Sequence, residues 1–149
     1  MTPMDAKLKQ DASLLAKQIY WLNLSYQQCH AVGVKADYSI EEFGYFETLC
    51  SRYSRSMDFL IRKMFRTLDE YELENQGTLI DVVNRAHKRQ LFDDVDEIRL
   101  MKDIRNTIVH EYIEDELVDV FDEVLQYSQR LLEIMNNTQA YMNKLIEVK

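Results

Sequence analysis

SIEEFGYFETLCSRYSRSMDFLIRKMFRTL, residues 39–68, decides the fold. Phe43, Phe46, Cys50, Tyr53, Met57, Leu60, Met64 and Leu68 recur at three- and four-residue steps. That spacing lays a near-heptad apolar stripe along one side of a long helix. Ser39 and Glu42 stand at capping-box spacing, so the helix starts at Ser39. The stripe fades through Glu70–Asn75, and Gln76-Gly77 marks a break. A stripe of this length needs other helices to cover it.

The flanking sequence supplies them. Leu8, Leu15, Ile19, Leu22 and Tyr26 give a first helix from about Met4 to His30. Residues 31–38 connect it to the second. Thr78, with Asp81 in the first turn, caps a short third helix to about Leu91. Asp93-Asp94 opens a fourth that ends near Tyr112. Asp115 caps a last helix whose apolar positions include Leu117, Val120, Phe121, Val124, Leu125, Leu131, Leu132 and Met135. Asn136-Asn137-Thr138 is expected to kink or fray that helix before Tyr141–Val148. Five helices on short connections, with no strand, imply an all-α, antiparallel up-and-down bundle forming one domain over residues 1–149.

Composition agrees. One proline and three glycines in 149 residues are too few turn-formers for a sandwich or barrel. A hydrophobic content of 46% argues against disorder. No apolar run approaches membrane-spanning length, and the N-terminus lacks a basic-then-apolar signal, so a soluble, cytoplasmic protein with no membrane partner is expected. Cys29 and Cys50 lie on different helices and read as structural thiols. Without histidines at ligand spacing they make no metal site, and no phosphate-binding glycine loop implies a cofactor.

A net charge of −8 argues against bulk nucleic-acid binding, but the charge is uneven. Arg55, Arg62, Lys63 and Arg66 fall within about 80° of Arg52 around an ideal helix, with Phe59 among them. Asp58 is the only acid between Arg52 and Arg66. Arg85, Lys88 and Arg89 follow on the third helix beside His87. Such a face is either solvated surface or a contact for a nucleic-acid backbone. His30 and His87 read as incidental. Between Arg105 and Arg130 the bias reverses: there is no Lys or Arg, and acids run from Glu111 through Glu114, Asp115, Glu116, Asp119 and Asp122 to Glu123.

The functional signal is residues 103–112, DIRNTIVHEY. With Arg105 at zero, Met101, Ile104, Ile108 and Tyr112 fall at about −40°, −100°, −60° and −20°, one apolar stripe. Asp103, Asn106 and His110 fall at about 160°, 100° and 140°, a polar stripe. Arg105 at the stripe edge is costly unless a carboxylate, phosphate or partner chain satisfies it. Its bland reading is an ion pair with an acid of another helix. That of His110 is a polar-face histidine bonded to Asp103 or Asn106, and that of Tyr112 a core or interface aromatic.

Arg105-Asn-Thr-Ile-Val-His110-Glu-Tyr112 resembles the Arg-Asn-x3-His-x-Tyr motif of HEPN domains, in the form carried by HepT-like toxins and by small proteins paired with minimal nucleotidyltransferases. The likeness extends loosely over Arg52–Met135 and leaves the helix of residues 4–30 outside. It implies an all-α homodimer whose composite site performs metal-independent RNA cleavage. By that resemblance, Arg105 stabilises charge on the transition state, His110 moves protons, and Asn106 orients the imidazole or contacts phosphate. The RNA 2′-hydroxyl is the nucleophile. It also implies a nucleotidyltransferase antitoxin as partner, with Tyr112 as AMP acceptor. Arg52, Arg55, Arg62, Lys63 and Arg66 are then the first choice for RNA contact. The rival expectation is a non-catalytic adaptor that serves the nucleotidyltransferase.

Overall fold

The computed structural model describes residues 2–74, 77–113 and 115–148. Six α-helices follow in order: α1 Pro3–Val32, α2 Ile40–Phe59, α3 Phe65–Tyr71, α4 Leu79–Lys88, α5 Val95–Ile113 and α6 Phe121–Glu147. A π turn, Leu60–Met64, joins α2 to α3 without a break, and a 3-10 turn, Leu117–Val120, leads into α6. No strand occurs among the described residues. The α2–π–α3 rod is the long second helix of the sequence, so the five expected rods are present.

The capping chemistry sets their starts. Glu42 N–H donates to Ser39 Oγ at 3.1 Å and Ser39 N–H to Glu42 Oε1 at 3.0 Å, a reciprocal box. Thr78 and Asp81 do the same for α4, and Thr2 and Asp5 for α1. Glu42 and Asp81 both lie below the usual carboxylate range. Lys35 and the Ser39 backbone hold Glu42 there, and the Thr78 backbone holds Asp81.

Polar contacts between rods give their directions. Arg52 bonds to Ser25 on α1, Thr67 to Asp11, and Lys7 of α1 to Glu70, so α1 and α2–α3 are antiparallel. Phe121 stacks on Phe46 near the start of α2, and Tyr141 reaches Glu72 just beyond α3, so α6 runs parallel to that rod. Arg130 of α6 pairs with Glu97 of α5, and Asn137 donates to the Leu91 carbonyl, so α5 opposes α6. Four long rods of alternating direction form the bundle, and α4 braces one end. Phe46, Tyr53, Phe65 and Phe121 are its largest buried side chains.

The π turn keeps the second rod in phase. Counted as an uninterrupted α-helix, Asp69 would lie about 160° round from Tyr53; one extra residue takes back about 100°. Asp69 is thereby buried, and two guanidiniums meet it. Arg85 Nη1 stands 3.0 Å from Oδ2 and Arg89 Nη1 2.8 Å from Oδ1. Arg89 Nε also bonds Glu72, which accepts from Tyr141. Burial works against the Arg89 charge, but Asp69 and Glu72 outweigh it and raise its pKa above the ordinary arginine value. Arg85 and Arg89 therefore face inward rather than extending a basic surface.

Two expectations about α6 are corrected. The helix runs unbroken through Asn136-Asn137-Thr138, because Thr138 is buried with its hydroxyl on the Ile134 carbonyl, and Asn137 is anchored on Leu91. Asp115 does not cap it. Asp115 has φ +61°, and Glu116 N–H closes back on the Glu111 carbonyl at 2.8 Å. That is the left-handed end of α5. Leu73 and Gln90 end their helices in the same conformation. Gln76 of the expected break and Glu114 of the acidic run lie outside the described residues. Cys29 and Cys50 are buried free thiols, each pushed up to about 12 by burial.

Candidate functional site

Asp94 starts α5 by accepting from Asp96 N–H at 2.9 Å, and the helix carries the whole 103–112 motif. Ile98, Met101, Ile104 and Ile108 are buried. Tyr112 is not, although the sequence put it in the same stripe: it is 64% exposed. The reason is a groove of about 510 Å³ between α2 and the last turns of α5, lined by Cys50, Ser54, Arg55, Ile108 and Tyr112 among others. Val109 and Ile113 are exposed beside it.

Arg105 meets Asp58 of α2 in a two-pronged ion pair, Nε to Oδ1 at 3.1 Å and Nη2 to Oδ2 at 2.8 Å. Both side chains are about one-third to two-fifths exposed. Nη1 also reaches Asn106 Oδ1 at 3.4 Å. His110 is mostly exposed, and its Nε2 lies 3.8 Å from Glu111. Its neighbour is thus Glu111, rather than Asp103 or Asn106; the Asp103 carbonyl accepts from Thr107. Within one chain, Arg105 and Asn106 are together, and His110 points about 140° away from Arg105 around the helix.

The five basic residues of the second rod do not share one face. Arg52 turns to α1, bonding the Trp21 carbonyl and Ser25, with its guanidinium 5.0 Å from the Trp21 ring centroid. Lys63 also faces α1, 3.9 Å from buried Asp11. Arg55 lines the α2–α5 groove, as Arg52 also does. Arg62 lies on the other side, in a cavity of about 50 Å³ shared with Asp58, Lys102, Arg105 and Asn106. Arg66 is exposed. The π turn and the approach of α1 divide the set, which an ideal-helix count cannot register.

No family model matches the chain, and neither a curated protein nor a solved structure is significantly similar to it.

Lys102 carries no signal in the sequence, and Asp58 stands there only as a lone acid in a basic stretch. Asp58 and Arg105 are 47 positions apart, so no local spacing links them. The signal for Asp58 was its isolation among cations. His30 stacks on Tyr26, and His87 Nε2 lies 3.0 Å from the Asp93 carbonyl, both local contacts. Among the described residues no group of three or more His, Cys, Asp or Glu is arranged to hold a metal ion. No described helix is long and apolar enough to cross a membrane.

Proposed function

We propose that this chain is a HEPN-type endoribonuclease whose site is completed by a second copy, with a nucleotidyltransferase as its regulatory partner. One observation carries the reading: the outward arc of α5 holds Asn106 and His110 next to exposed Val109, Tyr112 and Ile113, with half-buried Arg105 at its edge. Clustered exposed apolar side chains mark a contact surface. A partner helix seated there would bring its own His110 toward this chain's Arg105.

The chemistry follows from the groups. The RNA 2′-oxygen attacks the adjacent phosphorus and the P–O5′ bond breaks, leaving a 2′,3′-cyclic phosphate and a 5′-hydroxyl. One histidine takes the 2′ proton, and another proton is delivered to the departing oxygen. Arg105 offsets the charge gathered on the non-bridging oxygens. Exposure of Tyr112 leaves its phenol open to an adenylyl donor. Attached AMP would crowd the same surface and block both pairing and substrate.

The test is RNA cleavage by purified protein in EDTA, beside Arg105→Ala and His110→Ala, with the oligomeric state read by sedimentation. Wild type should cleave as a dimer, and each variant should lose at least about 100-fold. Equal behaviour of all three rejects the nuclease reading.

A second reading, a non-catalytic adaptor of the nucleotidyltransferase, is favoured by the engagement of Arg105 with Asp58. Co-expression with such an enzyme and intact-mass measurement separates the roles. A single added AMP, lost in Tyr112→Phe, supports regulation through that tyrosine.

A further inference from the structure

We propose that the cavity between the second rod and α5 binds a phosphodiester of single-stranded RNA through Arg62, Lys102 and Arg105, and that Asp58 holds the phosphate's place until it arrives. This deepens the ribonuclease reading and rests on it.

Three cations and the Asn106 amide line one small cavity against one carboxylate, in a chain of net charge −8. Among the described residues, neither Arg62 nor Lys102 has a carboxylate within ion-pair distance; Arg105 alone is paired. Asp58 presents two oxygens to the guanidinium fork, as a phosphate would. The pair is partly solvated, so exchanging one oxyanion for another costs little desolvation. The incoming anion gains Arg62 and Lys102 as well.

The surroundings favour a nucleotide over an isolated anion. Leu79 and Lys102 are shared with a second cavity of about 90 Å³, whose walls include Ile80, Val83, Asn84 and Arg99. Ile80 is exposed. Aliphatic side chains beside a cationic slot give a base an apolar surface to lie against next to its phosphate. An acidic peptide would use the cations and leave that wall bare.

The experiment measures anisotropy of a labelled single-stranded RNA of about ten nucleotides. It uses the full chain carrying His110→Ala, so that binding is read without cleavage. Arg62→Gln and Lys102→Gln should each weaken binding about 5- to 10-fold and reduce the salt slope by about one. Asp58→Asn should tighten it about 3-fold or more, with thermal melts confirming the fold. Lys17→Gln on α1 removes an equal charge elsewhere and should change affinity less than 2-fold. If Arg62→Gln and Lys102→Gln do no more than Lys17→Gln, or Asp58→Asn fails to tighten, the site is wrong while RNA binding stands. Polyglutamate competing as well as unlabelled RNA also overturns it. No RNA binding by the His110→Ala parent removes the ribonuclease reading together with this site.

Discussion

Two aspartates on the same rod, Asp58 and Asp69, each meet arginine, and they do so in opposite ways. Asp69 is 1% exposed and held by Arg85 and Arg89, with Glu72 and Tyr141 closing the network. Asp58 is partly solvated and meets one arginine. The first joins α3 to α4 at a closed end of the bundle. The second spans α2 and α5 at the small cavity it shares with Arg62 and Lys102. A charge sealed from water must keep its partners, whereas a charge at a wet seam can trade them. The same residue pairing therefore acts as a fastening at one end and as an exchangeable contact at the other.

Removing the acids separates the two most strongly. Asp69→Ala removes the buried carboxylate that joins Arg85 to Arg89, leaving them Glu74 and Glu72, and should cost about 3 kcal/mol in urea unfolding. A loss below 1 kcal/mol would mean that water reaches the network and the contrast is false. Gly77→Ala probes the closed end again. Gly77 has φ +102°, and an added Cβ would collide with the Asp81 carboxylate, so the α4 cap must give way. About 1–2 kcal/mol should be lost in thermal melts. Asp58→Asn should cost less than about 1 kcal/mol, because water screens the pair it breaks. A larger loss would make the seam a fastening too.

The smallest effect is kinetic and concerns the thiols. Both cysteines are pushed up to about 12 by burial, so alkylation at neutral pH requires opening of the structure. Cys50 lines the groove behind α5, while Cys29 lies within α1. Under mild urea, Cys50 should label before Cys29, as mass spectrometry of the peptides would report. Equal rates would mean that α5 opens only with the whole bundle.

What was legible in the sequence was what repeats or pairs locally. The near-heptad stripe announced the second rod, and Ser39/Glu42 and Thr78/Asp81 announced their caps. The all-α bundle follows from those signals. What was not legible depended on distant residues. Asp58 finds Arg105 only after α5 packs on α2. Arg85, Arg89 and Lys63 read as surface cations until Asp69 and Asp11 are seen beneath them. Tyr112 kept helical phase with Ile108, yet nothing local revealed that α5 extends past its cover. Leu73, Gln90 and Asp115 end helices in a conformation that glycine usually takes, so their identities gave no cue.

The π turn at Leu60–Met64 gives the second rod one residue to spare at that point. Excising any one of its five residues would restore regular winding and a slightly shorter rod, with no loss of helical propensity. Everything beyond it would then keep its place, because the lost residue removes the same 100° that the π turn takes back, so Thr67 stays with Asp11 and Asp69 with both arginines. A single-codon deletion there would be far less harmful than one elsewhere in the rod, which would turn every later side chain about 100° away from its partners.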